Sequence, residues 1–147
     1  MDGDGLDVCS ISQTGSGWRL EGSLERTLAD GPLTFLYRVL LDSRWHTRAV
    51  HLEQTWHATV RQLQLTRDAY GRWWVAGKVS LPIQGCLDVE LSATPATSML
   101  AIRRLALEVG QAVTVDVVRV AIPELILTPE RRHFARLAPR VYALDSL

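Results

Sequence analysis

Apolar and polar residues alternate over short stretches along most of this chain, and a two-residue period is the mark of half-buried β-strands. Leu33, Phe35, Tyr37, Val39 and Leu41 share one face of such a strand, while Thr34, Leu36, Arg38 and Leu40 form the other. Because Leu36 and Leu40 make the second face partly apolar too, the strand is either covered on both sides or lines a hydrophobic concavity. Similar patterns predict strands at residues 18–24, 44–53, 60–67, 73–75, 79–83, 86–91, 113–122, 125–127 and 140–144, with Asp30-Gly31-Pro32 as a strong turn. Short, closely spaced strands with turn signals between them predict an all-β antiparallel architecture.

Two windows compete for helix. From Met99 to Val109, Ile102, Leu105 and Val109 fall at near-helical spacing, yet Leu105, Leu107 and Val109 also alternate, so periodicity leaves both states open. Thr128-Pro129-Glu130 reads as an N-cap and the first helical positions, with Pro139 limiting that helix to about two turns. No repeat, low-complexity tract or linker divides the chain. Residues 1–147 therefore read as one domain, and residues 1–16, with Gly15-Ser16 at their end, as a flexible lead-in.

Composition narrows the function classes. With 47% hydrophobic and 22% charged residues, the sequence is that of an ordinary globular protein. Sixteen basic residues balance sixteen acidic ones, so no long-range field gathers nucleic acid or an anionic membrane. No apolar run approaches the ~18 residues of a membrane span. The acidic start, MDGDGLDVCS, lacks the basic and apolar regions of a secretory signal, and Cys9 and Cys86 lie far apart outside any CxxC pattern. Both features predict a cytoplasmic protein with free thiols. Lys78 is the single lysine. Arginine forks suit phosphate and carboxylate groups, although GC-rich coding gives the same bias.

Catalytic and cofactor signatures are missing. There is no GxSxG elbow, GxGxxG turn, P-loop or RNP-type aromatic pattern. His46 and His51 are an odd number apart and face opposite sides of a strand; His51 and His57 share a face but stand about 20 Å apart, too far for one metal. The sequence thus predicts neither metal nor cofactor. Five tryptophans exceed two phenylalanines, and Trp pairs an apolar face with a donor edge. Trp45 and one of the neighbours Trp73 and Trp74 are candidates to line a cavity or stack on a sugar; the other of that pair is expected in the core.

The run Gly85 to Leu105, GCLDVELSATPATSMLAIRRL, carries the most information. Leu87, Val89 and Leu91 alternate with Asp88 and Glu90, predicting a strand with its apolar side inward and two carboxylates about 7 Å apart on the opposite side. SATPATS breaks the strand into a loop, and Ile102-Arg103-Arg104-Leu105 begins the next element. An Asp88 contact with Arg103 or Arg104 is expected to hold the loop. Two carboxylates at this spacing also suit inverting glycoside hydrolysis.

This run resembles the signature of a bacterial glycolipid-binding family of unknown function, close to GCxDVDLxxTPFTNTLPIRRL. It differs at Glu90, Ala96, Ser98 and Ala101, where the family has Asp, Phe, Asn and Pro. The resemblance extends to Trp18, Tyr37, the segment Asp42 to Arg48, the turn Asp68 to Trp73 and the tail IPELILTPERRHF, about residues 15–147. It implies a single antiparallel sheet strongly curved into a half-barrel, similar to bacterial lipoprotein carriers, that holds a lipid or glycolipid without catalysis. On that implication Leu36 and Leu40 hold an acyl chain, and Arg48, Asp88, Glu90, Arg103 and Arg104, with Trp45 and Trp73, meet a polar headgroup at the rim. Two other readings remain: a carbohydrate or lipid-ester hydrolase using Asp88 and Glu90 as acid and base, and an interaction module using a sheet edge or Arg131 to Arg140.

Overall fold

A computed structural model describes residues 5–146. The strands are β1 (Gly5–Gln13), β2 (Gly17–Leu28), β3 (Gly31–Asp42), β4 (Thr47–Trp56), β5 (Thr59–Arg67), β6 (Trp73–Val75), β7 (Lys78–Val79), β8 (Asp88–Leu91), β9 (Ala112–Ala121), β10 (Ile126–Ala138) and β11 (Val141–Ser146). A 3-10 turn spans Leu81–Ile83, and the helix α1 spans Ala96–Leu105. The chain adopts the expected all-β architecture around an antiparallel, curved sheet that does not close into a barrel. That sheet is a seven-stranded meander, β1 to β7 in order. Beside it lies a second sheet of four strands, β11-β10-β9-β8, in which β8 and β9 run parallel. A parallel pair needs a long crossover, and the segment containing α1 supplies it.

The core forms where the inward face of the large sheet meets the second sheet and the helix. Leu20, Leu24, Leu33, Phe35, Tyr37, Val39, Leu41, Val50, Leu52 and Leu65 cluster with Val89, Leu91, Leu100, Val118, Val120 and Ile122. The alternation of β3 is thus read correctly for its inward face, and the hollow of the curved sheet is filled by the chain itself.

Local signals fail where pairing across the sheet outweighs them. In place of a flexible lead-in, residues 5–13 pair with β2 along their whole length, while residues 1–4 lie outside the described residues. Beyond β1, the Tyr37 ring crosses Gly22 so that its hydroxyl donates to Asp7 Oδ1 at 2.9 Å. A Cβ at Gly22 would stand 2.2 Å from that ring, so only glycine admits the crossing. The helix expected after Thr128 is instead strand β10, because Arg132 and Phe134 alternate as buried positions and pair with β9. Pro129 is tolerated there: its ladder partner is Val118 on one side, and β11 pairs only from Arg132 onward on the other. The strand expected over residues 79–83 is the end of β7 followed by the 3-10 turn. In the ambiguous Met99 to Val109 window, residues 99–105 are the later part of α1, so Ile102-Arg103-Arg104-Leu105 ends a helix that starts at Ala96 instead of beginning the next element, and Ala106 closes it in the left-handed region at φ 48°.

Candidate functional site

The Gly85–Leu105 run is a structural knot. Ser92 Oγ accepts the Ile122 N–H at 2.8 Å, Thr97 Oγ1 accepts the Leu91 N–H at 3.2 Å, and Thr94 Oγ1 accepts the Ala96 N–H at 3.2 Å. Thr94 also donates to Asp7, tying the loop to β1. The hydroxyls therefore satisfy backbone donors where the strand ends and the helix begins. Burial comes first, and the Asp7 carboxylate next to it, in holding the Tyr37 phenol above its ordinary range.

Asp88 does not face solvent. It is 3% exposed beside Val89, because α1 covers this side of the second sheet through Arg104. The Arg104 guanidinium forks onto it, Nε to Oδ1 at 3.0 Å and Nη2 to Oδ2 at 2.7 Å. The alternation gave the correct parity but not the cover. Glu90, two residues on, takes a different partner: Arg132 forks onto it at 2.8 and 2.9 Å and also reaches Glu130 at 2.6 Å. The Glu90 fork is the main cause holding the Arg132 guanidinium above its ordinary value. Both carboxylates are thus engaged by guanidinium forks.

Trp45, Arg48 and Arg103 meet near the same end of the large sheet. Asp42 closes the β3–β4 turn: its Oδ1 accepts the N–H of Arg44 and His46 at 2.8 and 3.0 Å, and its Oδ2 accepts Arg48 Nη2 at 2.9 Å. Burial alone would push the Asp42 carboxyl up, but those donors outweigh it and hold it below the ordinary carboxylate value. The turn places Trp45 at φ 67°, an uncommon conformation for a bulky residue. Its ring stacks on Trp18 at 4.5 Å and carries the Arg103 guanidinium at 5.1 Å. Arg67, at the end of β5, is half-buried in this neighbourhood. Burial first, and then the Arg48 charge, lower its pKa, while Asp42 and Asp88 act in the opposite sense.

The outward face of the large sheet holds a groove of about 570 Å³. Its outward-pointing side chains are Glu21, Leu36, Arg38, His51, Glu53, Gln62 and Gln64. Pairing aligns Glu21, Arg38, His51 and Gln64 in one row across β2 to β5, and Leu36, Glu53 and Gln62 in the next. Arg38 Nε donates to Glu21 at 3.0 Å, and Gln62 donates to Glu53 at 3.2 Å. Leu36, 46% exposed, is the exposed apolar side chain among these outward-pointing residues. Leu40 belongs to the adjoining row, Leu40, Ala49, Thr66, Trp74 and Val79. The hollow expected to hold Leu36 and Leu40 is thus filled by the core, and Leu36 lies instead on the opposite face, in an open groove whose walls are part polar and part apolar. Trp73 is corrected to the core: it has no exposed surface and donates to the Cys86 carbonyl at 2.8 Å. Its neighbour Trp74, half-buried, is the one turned to the outward face, with its Nε1–H on Asp68 at 2.9 Å.

A family model described as "Putative glycolipid-binding" matches residues 1–147. The chain belongs to this family. Among solved structures it is similar to the crystal structure of a DUF1089 family protein from Pseudomonas aeruginosa, with 25% identity and a TM-score of 0.87 over 100% of this chain and 79% of that one. A comparison with curated proteins finds no match. In this family member, Trp45, Arg48, Asp88, Arg103 and Arg104 gather towards one end of the large sheet, whereas Leu36 and Leu40 stand on its outward face and Glu90 turns to Arg132.

Sequence reasoning missed the groove's polar lining and Arg67. The polar residues of β4 and β5 sit at every second position, His51 and Glu53, then Gln62 and Gln64, and that spacing could have indicated a polar sheet face. Arg67 gave no local signal, since its surroundings come from three separate segments. Among the described residues no three His, Cys, Asp or Glu side chains converge as a metal site, and no helix is long and apolar enough to cross a membrane.

Proposed function

We propose that this protein binds an amphipathic glycolipid without chemically changing it, with the sugar in the outward-face groove and the tail along the row from Leu40 to Trp74. The observation that carries this reading is the juxtaposition of the two surfaces. A groove of about 570 Å³ is of the size that takes a small ligand. Its imidazole, amide, carboxylate and guanidinium groups match the hydroxyls of a sugar, and Leu36 offers an apolar contact for a ring face. The half-buried row beside it, apolar at Leu40, Ala49 and Trp74, suits a hydrocarbon chain, which gains about 0.8 kcal/mol for each CH₂ removed from water. The family's description supports the ligand class. Engagement of Asp88 and Glu90 in guanidinium forks argues against the hydrolase reading. For the interaction-module reading, β10 (Ile126–Ala138) offers no free sheet edge, since it pairs with β9 and β11, although Arg131 in the Arg131 to Arg140 segment keeps an exposed side chain. Two unpaired thiols, Cys9 and Cys86, fit a cytoplasmic setting.

Titration with a short-chain glycosyl diacylglycerol, the corresponding diacylglycerol and the free glycoside tests this reading. The intact glycolipid is expected to bind more tightly than either part. Equal affinity for the diacylglycerol and the glycolipid would remove the sugar from the account, and no binding of any of the three would end it.

A further inference from the structure

We propose that Arg67 and Arg48 form a binding site for a phosphate-class oxyanion at the end of the β4–β5 pair. The β4–β5 ladder ends at the Ala49–Thr66 pair, and Arg48 and Arg67 are the next residues on the two strands, near enough for the Arg48 charge to act on Arg67. Like charges brought together at the end of a strand pair oppose folding. Arg48 is also the extra residue of a bulge between β3 and β4, and bulges re-aim side chains beside functional sites.

The neighbouring carboxylates do not neutralise the cluster. Asp42 takes one nitrogen of Arg48, Nη2, and both oxygens of Asp88 are held by Arg104. Asp68, next in sequence to Arg67, spends its oxygens on its own turn, on Arg72 and on Trp74. Arg67 makes no ion pair among the described residues; its one hydrogen bond is a long Nε–H contact of 3.4 Å to the Gly71 carbonyl. Three guanidinia, Arg48, Arg67 and Arg104, thus share two carboxylates, Asp42 and Asp88. A half-buried guanidinium whose neighbouring carboxylates are already engaged by other arginines is unfavourable unless another anion completes it. Guanidinium forks match the oxygens of phosphate, so a phosphate between Arg67 and the free nitrogens of Arg48 would relieve the repulsion. The site lies on the inward side of the strand ends and is separate from the outward groove.

The test compares wild type with Arg67→Gln and Arg67→Lys, using inorganic phosphate and, separately, phosphatidylcholine vesicles with and without phosphatidic acid. In wild type, phosphate at constant ionic strength is expected to raise the thermal midpoint over chloride, as a ligand bound to the folded state must. Loss of a charge-assisted fork should weaken phosphate binding about tenfold or more in Arg67→Gln, with a smaller loss in Arg67→Lys. In chloride alone, Arg67→Gln should unfold at the same temperature as wild type or higher, which a purely structural arginine would not allow. A response to inorganic phosphate identifies a free-phosphate site; a response only to phosphatidic acid vesicles, lost in Arg67→Gln, identifies a lipid headgroup. No response to either probe, or an equal response in Arg67→Gln, overturns the proposal.

Discussion

The two sides of the large sheet use similar polar residues in opposite ways. On the inward side, around α1 and β8, each carboxylate meets a guanidinium fork: Asp88 with Arg104, where the side chains are 5% and 11% exposed, and Glu90 with Arg132. On the outward side, Glu21, Arg38, His51, Glu53 and Gln64 line an open groove and keep part of their hydrogen-bonding capacity for another molecule. Acidic residues in a sequence signature can thus serve the ion pairs of the fold itself. Charges inside a fold must be paired to be tolerated, whereas partly exposed polar groups beside an apolar surface can be spent on recognition.

The largest effect expected from breaking this contrast lies on the inward side. Arg104→Ala leaves the Asp88 carboxylate buried without its partner and should cost about 3 to 5 kcal/mol, read from denaturant midpoints. A double-mutant cycle with Asp88→Ala should show strong coupling; independent effects would mean that the fork adds little. Gly22→Ala should come next. Its new Cβ would meet the Tyr37 ring and force the crossing to Asp7 apart, at a cost of about 1 to 3 kcal/mol. A Gly22→Ala protein as stable as wild type would show that the close approach is not required.

A pH dependence sharpens the same picture at the β3–β4 turn. Asp42 has its folded pKa held below the ordinary 3.8. Its contribution is therefore fully present above that value and is lost as the pH falls through the folded pKa. Wild type should lose more stability than Asp42→Asn as the pH is lowered below about 4. Parallel curves for the two proteins would rule out this role. The smallest effect on stability belongs to the outward side: Leu36→Asp should shift it by no more than about 0.5 kcal/mol, because Leu36 is already 46% exposed. Unfolding of this variant would show that the groove is part of the core.

What could be read in the sequence follows the range of the forces involved. Alternation is local, so the inward face of β3 and the parity of Asp88 against Val89 were legible. Cover is not local: Arg104, near the end of the helix that begins within SATPATS, reaches back to enclose Asp88, and Arg132, forty-two residues from Glu90, supplies its fork. The N-cap signal at Thr128 is real as local chemistry, yet β10 pairs with β9 over ten residue positions and wins. The Ser and Thr density of the loop marked a break in the strand correctly. Its bonds to Asp7, Leu91 and Ile122 became visible only in three dimensions.

The most direct measurement is calorimetric titration of a short-chain glycosyl diacylglycerol into wild type and the double variant Glu53→Ala/Gln62→Ala, with Arg104→Lys as the inward comparison. Removing two groove partners should weaken binding about tenfold or more while the thermal midpoint stays near that of wild type. Arg104→Lys should lower the midpoint and leave the affinity of the folded protein unchanged. The reverse pattern, with affinity intact in the groove variant and lost in Arg104→Lys, would contradict the account and move the ligand to the inward arginines.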